Sequence, residues 1–563
     1  MRLCKLIIGS PKDSPSHRFK NLKDVVIDFD ENHWVTVVIG WNGTGKSNVL
    51  EALAIIFREL IGPKKQPKID FAFNLTYEMG GGSERRVISI DHDPDRSSEK
   101  FFIRVNQANF TKLSAESNSR LESSNRVKLK PFLDDDRNLP RYVFSYYSGE
   151  STRMHDIFAP YLQWYDEKLR RGEDPGIKRL FYTLPVHSQF VLLAFLIGNN
   201  EEIADFLENN LGLEPTDGLE SVLFVLRRPP WKAQPDGDPR FWGAKGIVRD
   251  FLSRLYELAL APIETERKVS VSLWNKETLQ FKYLYIKDID ALRKLVAGRP
   301  PAEFFRDLES TYVSQLIEEV RIKVKLKKSA ETVTFKELSE GEQQLLTVLG
   351  LLKFTAEEES LFLLDEPDTH LNPRWSVDYL NYLKKIVLAS HKGNASSHIL
   401  LTTHNPLAIA ELVKEQVQIL QLKQENESRQ VIAFYPETDP RGMGYAAIIS
   451  SDMFGIASTL DHSTQVLLEE QRILGSKDEL TPQEQQDLER LNAELNTLGF
   501  RFFHPDDEYS RYLRLRHQKL VEQFDTQEAK TLANNVISLS RVERENLAKE
   551  LIDQLLNDSG EIE

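Results

Sequence analysis

The sequence predicts an α/β fold whose two halves are separated by a globular, mostly helical insertion and followed by a helical C-terminal extension. Three observations predict it. Apolar runs that read as buried strands, WVTVVIG, LFLL and HILLTT, each run into a turn rich in polar residues. Between these runs, from about residue 150 to 262, and again over the last ~120 residues, the apolar period becomes helical. No internal repeat and no sustained heptad run suggests a solenoid or a long coiled-coil arm.

Taken in order, residues 1–108 form the first half. LCKLIIG, LKDVVIDFD and WVTVVIG read as strands, and SNVLEALAIIFREL as an apolar-periodic helix. FAFNLTYEM, RRVISIDHD and KFFIRVNQA follow as antiparallel strands, with a Gly-Gly-Gly-Ser turn after the first. Residues 110–138 are polar and weakly patterned and read as loop. The insertion spans 109–330, helical except for a proline-rich break, RRPPWKAQPDGDPRFWG, and a hairpin, VSVSLWNKETLQFKYLYI. That hairpin is expected to set Val269, Val271 and Leu273 opposite Leu279, Phe281 and Tyr283. A helix, EFFRDLESTYVSQLIEEV, then leads to the strand RIKVKLKK. Residues 331–440 return to the α/β pattern, and 441–563 form the helical extension, a candidate partner-binding region. There Thr481-Pro482-Gln483-Glu484 has the composition of a capped helix start.

Composition narrows the class. The chain has 563 residues, 40% hydrophobic and 28% charged, with a formal net charge of −14, so it lacks the global basic bias of a tail-type nucleic-acid binder. The single cysteine, Cys4, rules out an internal disulfide framework and a multi-cysteine zinc site. The N-terminal apolar run is too short for a signal peptide, and no stretch reaches the ~18–20 apolar residues that span a bilayer. A cytoplasmic protein without membrane contact is expected.

The chemistry sits in four short motifs. Gly40-Trp41-Asn42-Gly43-Thr44-Gly45-Lys46-Ser47 fits a P-loop, with an apolar strand before it and a helix after it. Its backbone N–H groups, from Asn42 through Ser47, converge on phosphate oxygens; Lys46 adds a cation and the Ser47 hydroxyl can ligate Mg²⁺. In LFLLDEPDTHLNP, Asp365 and Glu366 end a buried strand, the first suited to Mg²⁺ and the second to activating water. In ELSEGEQQLLTVLGLL, Ser339 and Gly341 open a helix whose N-terminus faces anions, while Ser339 and Glu342 also form a capping box. His404 follows the strand HILLTT, where an imidazole can reach a γ-phosphate.

LSEGE, LLDEP and TTHNP, in this order after a P-loop, resemble the signature, Walker B and switch-histidine motifs of ABC-type ATPases. The variant is most similar to the SMC, Rad50, RecF and OLD branch. That resemblance implies an α/β P-loop NTPase with an ABC-type ATPase head and an N-terminal antiparallel β subdomain. It implies ATP and Mg²⁺ as cofactors, Glu366 and His404 as catalytic residues, and Gln66 as the Q-loop glutamine. It also implies a dimer or higher even oligomer, in which Ser339 and Gly341 serve the partner's nucleotide. Two positions depart from the pattern: Trp41, whose ring is expected to pack outside the cradle, and Asn372, which stands where the family has an aspartate.

No effector accompanies this engine. OLD-type members carry a nuclease with a late Asp-x-Asp, which is missing after His404, and HPDDEYSRYL reads better as a first helical turn. The loop DHDPDRSS has Asp91, Asp93 and Asp95 at metal-ligand spacing but lacks the glycine and glutamate of a calcium loop, so a solvated hairpin loop is expected. Arg321, Lys323, Lys325 and Lys327 share one strand face, suited equally to a nucleic-acid backbone and to a solvated, aggregation-resistant edge. The architecture resembles the ATPase subunits of Septu and retron-associated antiphage defence, which implies a separate HNH nuclease and, in retrons, a reverse transcriptase with its RNA and DNA. The alternatives are a RecF- or SMC-like repair ATPase that binds DNA directly, an OLD-like ATPase-nuclease, and a scaffold that holds ATP without turnover.

Overall fold

The computed structural model describes residues 1–107, 126–498 and 549, except for short internal stretches at 64–65, 82–83, 150, 199, 234, 271–275, 328–330, 356–358, 391–396, 426–427, 457–459 and 476–479. The chain forms two units, Met1–Gly455 and Ile456–Glu563. HPDDEYSRYL, Val271 and Leu273 lie outside the described residues.

The first unit begins with β1 (Arg2–Ile8), β2 (Val25–Asp28), β3 (Val35–Gly40), α1 (Lys46–Ile61), β4 (Phe73–Met79), β5 (Arg86–His92), β6 (Phe101–Gln107), β7 (Arg126–Val127) and α2 (Leu129–Asp134). Next come β8 (Tyr142–Tyr147), α3 (Arg153–Arg170), β9 (Leu180–Tyr182), α4 (Val186–Ile197), α5 (Glu201–Asn209), β10 (Leu219–Arg227) and α6 (Gly246–Leu258). The hairpin β11 (Ile263–Ser270) and β12 (Lys276–Ile286) precedes α7 (Ile289–Val296), α8 (Pro301–Val313), β13 (Ile317–Lys325) and β14 (Thr332–Thr334). The second half of the head supplies α9 (Glu340–Thr355), β15 (Ser360–Asp365), α10 (Pro373–Ser390), β16 (His398–Thr402), α11 (Pro406–Ile409), β17 (Val417–Glu425), β18 (Ser428–Phe434) and α12 (Tyr445–Ser450). In the second unit, α13 (His462–Gly475) is followed by α14 (Pro482–Thr497), capped by reciprocal bonds between Thr481 and Glu484.

A seven-stranded sheet in the order β18-β17-β3-β16-β15-β8-β9 organises the head. Its strands pair in parallel except for the β17–β18 hairpin. β15 and β16 are buried along their whole length, as strands covered on both faces must be. The two-residue side-chain period divides them between two cores. Leu361, Leu363 and Leu400 face α1 and the N-terminal β subdomain; Phe362, Leu364, Ile399 and Leu401 face α4, α9 and the insertion.

The β subdomain is a six-stranded antiparallel sheet, β2-β1-β4-β5-β6-β7, as the alternating pattern predicts. The segment expected as loop, 110–138, contains β7 and α2 among its described residues. The insertion departs further from expectation. It supplies β8 and β9 to the central sheet, and it builds a second antiparallel sheet, β11-β12-β10-β13-β14. β10 was not anticipated because a nine-residue run such as LESVLFVLR is periodic for neither helix nor strand. The hairpin register is also offset: Leu279 lies opposite Arg267 and Val269 opposite Glu277, so cation and carboxylate positions fill places expected to be apolar.

Two charged features of the insertion are resolved. On β13 the apolar positions are buried and the cations point outward, but Arg321 pairs with Glu319, Lys325 with Asp217 and Lys327 with Glu208. Lys323 has no carboxylate partner among the described residues. Deeper, Glu309 on α8 accepts from Lys178 and from His187 Nε2 at 2.6 Å, all three side chains being at most 5% exposed.

Candidate nucleotide-binding and hydrolysis site

Parallel strands end at one edge of a sheet, and in open α/β sheets that edge carries the ligand. Here β3, β16 and β15 are successive neighbours whose C-terminal turns bear the P-loop, TTHNP and DEPDTHLNP.

The P-loop leaves β3 at Gly40 and enters α1 at Lys46. Gly45 caps the helix with φ 99°, and a Cβ there would lie 2.8 Å from Asn21 Oδ1, so only glycine fits. Asn21 itself donates to the Gly43 carbonyl at 2.9 Å and accepts from Asn48 at 2.6 Å, walling the outside of the loop. Thr44 is buried and donates to the Trp41 carbonyl at 2.8 Å, while Asn42 and Gly43 are exposed. Lys46 Nζ reaches the Gly40 carbonyl at 2.9 Å and that of Trp41 at 3.3 Å. Burial lowers the Lys46 pKa, and the charges of Glu366 and Asp365 oppose that shift. Trp41, expected to pack outside the cradle, is instead 62% exposed.

Thr402 assembles the Walker B end. It sits opposite Asp365 in the strand register, and its hydroxyl donates to Asp365 Oδ1 at 2.5 Å. The Glu366 N–H donates to the Thr402 carbonyl and hydroxyl oxygens, both at 3.1 Å. Burial raises the Asp365 pKa, moderated by hydrogen bonds from Thr402 and Ser47. Thus Ser47 and Asp365, from opposite halves of the sequence, come close enough for the Ser47 hydroxyl to influence the carboxyl. Glu366 has φ 51°, a left-handed conformation that costs a β-carbon-bearing residue about 1–2 kcal/mol. The bend brings Glu366 Oε1 to 3.0 Å from His404 Nε2, and that hydrogen bond holds the carboxyl below its usual range.

The other residues of TTHNP brace this arrangement. Thr403 donates to buried Asp368 at 2.8 Å and accepts from the Asn405 N–H at 2.9 Å. Asn405 in turn caps α11, with Pro406 in its first turn.

The signature helix is fastened to the same turn. Ser339 and Glu342 form the expected capping box, the Ser339 N–H reaching Glu342 Oε2 at 2.7 Å and the Glu342 N–H reaching Ser339 Oγ at 3.3 Å. Gly341 packs on the His370 carbonyl, where a Cβ would come to 2.5 Å. Gln344 donates to the Pro367 carbonyl at 2.6 Å. Asn372 caps α10 through the Trp375 N–H at 2.9 Å, so its side chain is committed to the helix start. Ser339 and Gly341 make no hydrogen bond or ion pair with the P-loop among the described residues. Gln66 is exposed on the segment that precedes β4.

Comparison with known proteins bears on the fold and the ATPase class. One family model, "AAA ATPase domain", matches residues 18–160, and another, "AAA domain, putative AbiEii toxin, Type IV TA system", matches residues 232–410. A curated relative, the Septu protein PtuA of Bacillus mycoides (strain KBAB4), is 28% identical over 202 residues, covering 35% of this chain and 24% of the relative. The matched stretch therefore spans about a quarter of that relative's length. Both matched models describe AAA-type ATPase domains, one in each half of the chain, in keeping with the P-loop NTPase fold. Among solved structures, the SMC head domain from Thermotoga maritima superposes with a TM-score of 0.30 at 13% identity, over 78% of this chain and all of that one; so loose a match adds no weight.

Sequence reasoning missed several residues that shape the ATPase site. Thr402, Thr403 and Asp368 lie inside quoted motifs, and two polar threonines ending an apolar strand were the available signal. Arg153, at the start of α3, pairs with Glu51 on α1 at 3.3 Å, and its charge pulls the Asp365 pKa down. No motif marks it. No helix of the described residues is long and apolar enough to cross a membrane.

Proposed function

We propose that the chain is the ATP-binding and ATP-hydrolysing regulatory subunit of a prokaryotic antiviral defence complex, working in the cytoplasm and controlling a separate HNH-type nuclease. The observation that carries the enzymatic part is the meeting of Ser47, Asp365, Glu366 and His404 at one sheet edge. Ser47 and Asp365 would hold Mg²⁺, a fit supported by the closeness of the Ser47 hydroxyl to the carboxyl and by the burial of Asp365. Bound there, the ion supplies charge neutralisation of the phosphate oxygens. Lys46 exchanges its loop carbonyls for phosphate oxygens, as the P-loop amides from Asn42 to Ser47 turn to the same group. Glu366, kept ionised by His404, accepts a proton from the attacking water, and His404 contacts the γ-phosphate. Ser339 and Gly341 act on the nucleotide of a second copy, and Gln66 follows the nucleotide as a Q-loop residue.

The defence assignment is supported by the Septu relative and by an ATPase without a recognised nuclease motif. A reverse transcriptase with its nucleic acid is a further partner in a retron setting. The test is co-expression with the neighbouring gene products, followed by mass measurement and nuclease assays with and without ATP. A stable complex whose nuclease activity changes with ATP, and with Glu366→Gln, is expected. A partnerless chain with DNase activity of its own would overturn the reading.

A further inference from the structure

The loop DHDPDRSS holds three aspartates, and the structure gives them different partners. Asp91 is engaged by Arg96. Asp93 and Asp95 turn instead toward His17, which ends a short turn in the connection between β1 and β2. His17, Asp93 and Asp95 each present one ligand atom, and the three lie within 4.8 Å of one another.

The histidine carries the argument. It is 1% exposed, and its Nε2 makes no hydrogen bond although it points at two carboxylates. Asp95 Oδ2 is 3.2 Å away and Asp93 Oδ1 3.5 Å. A charge-assisted N–H···O bond closes to about 2.7–2.9 Å. With metal–ligand bonds of about 2.0–2.1 Å, a tetrahedral ion instead spaces its ligand atoms roughly 3.3 Å apart. The two observed distances bracket that spacing. The other ring nitrogen, Nδ1, is 2.5 Å from Ser10 Oγ, the outer contact that orients a ligating imidazole. The carboxylates are steadied as well: Ser16 donates to Asp95 at 2.7 Å, and Lys12 to Asp93 at 3.1 Å.

We propose that His17, Asp93 and Asp95 form a structural site for a divalent transition-metal ion of the zinc class, tying the β1–β2 connection to the β5–β6 turn. One imidazole and two carboxylates suit such an ion better than calcium or magnesium, which favour all-oxygen sets. Asp95 is half-exposed, which leaves a side open for entry and a fourth ligand. The connection so anchored carries Lys20 and Asn21 at its far end, where they hold Glu51 of α1 and the Gly43 carbonyl. The ion thereby braces the outer wall of the P-loop without touching the nucleotide.

The test uses the full chain after chelator treatment, titrated with Zn²⁺ against a chromophoric chelator, with a Co²⁺ spectrum as an independent readout. One Zn²⁺ per chain, a raised Tm and tetrahedral Co²⁺ bands are expected. Asp95→Asn, at an exposed position that folding tolerates, is expected to weaken binding at least tenfold and to remove the bands, as is His17→Ala if it folds. Lys46→Ala is expected to lose ATP binding and keep the metal. Wild type that binds Zn²⁺ no better than Asp95→Asn, or a Tm that follows pH but not metal, would overturn the proposal in favour of an imidazolium–carboxylate pair.

Discussion

The sheet edge at Asp365 and the Lys178–His187–Glu309 cluster are built from the same side-chain types in the same unit, yet their buried carboxyls shift in opposite senses. In the insertion, burial alone would raise the Glu309 pKa, but His187 and Lys178 overcome it and hold the carboxyl at about 2. At the sheet edge burial wins for two groups, raising the Asp365 pKa and lowering that of Lys46, while His404 holds Glu366 below its usual range. A buried carboxylate that has its cationic partners keeps its charge. One without a partner cation among the described residues, such as Asp365, is held closer to neutral, as the proposed Mg²⁺ site would require. The difference separates a strut from a socket more cleanly than residue identity does.

The largest expected effect lies in the strut. Lys178→Met leaves Glu309 buried with one partner fewer, and a loss of about 3–5 kcal/mol in urea unfolding is expected, with ATP affinity unchanged in the protein that remains folded. The sign with pH follows from the depressed Glu309 pKa. Its contribution is complete above the usual glutamate value of about 4.3, and the wild-type advantage shrinks as pH falls toward 2. A variant that lost ATP affinity at unchanged stability would place the cluster in the nucleotide site rather than in the scaffold.

In the socket the order reverses. Glu366→Gln is expected to slow ATP turnover about 10²–10⁴-fold while leaving nucleotide binding and Tm near wild type, measured by phosphate release and by calorimetry. Equal background rates in both proteins would favour the scaffold reading. Thr402→Val removes a hydroxyl that serves both Asp365 and Glu366, and a roughly 10-fold rise in the Mg²⁺ needed for half-maximal turnover is expected. The smallest effect belongs to the basic strand. With its neighbours already paired, Lys323→Glu is expected to change stability by less than about 0.5 kcal/mol, and salt-dependent DNA binding measured by fluorescence anisotropy is expected to stay the same. A large loss there would revive the direct DNA-binding reading.

What could be read in advance was local. The capping boxes at Ser339 and Thr481 and the strand–loop–helix at Lys46 lie within a few residues of chain, where spacing alone implies geometry. Thr402 was passed over because its role depends on strand pairing with Asp365, 37 positions earlier. Arg153 and Glu51 meet through helix packing that no motif encodes. His17 and Asp93 needed the fold of the β subdomain to come together, and the pairing of Val269 with Glu277 depends on the strand register, which the alternation of apolar residues does not fix. Asp91 shows the converse: the spacing was right, and Arg96 had already claimed the carboxylate.

The placement of β3 has a consequence for how the molecule is made. The strand that carries the P-loop is flanked by β16 and β17, both from the far half; the Thr36–His398 contact alone spans 362 positions. As the chain leaves the ribosome, the P-loop strand is made early and then waits, both edges unpaired, until nearly everything through β17 has been synthesised. Such edges invite association with other chains, and pairing over so long a separation is slow. The β subdomain and the insertion, each with a sheet of its own, can fold in the meantime and hold that place open. A chain stopped before β16 is therefore expected to be insoluble rather than merely inactive.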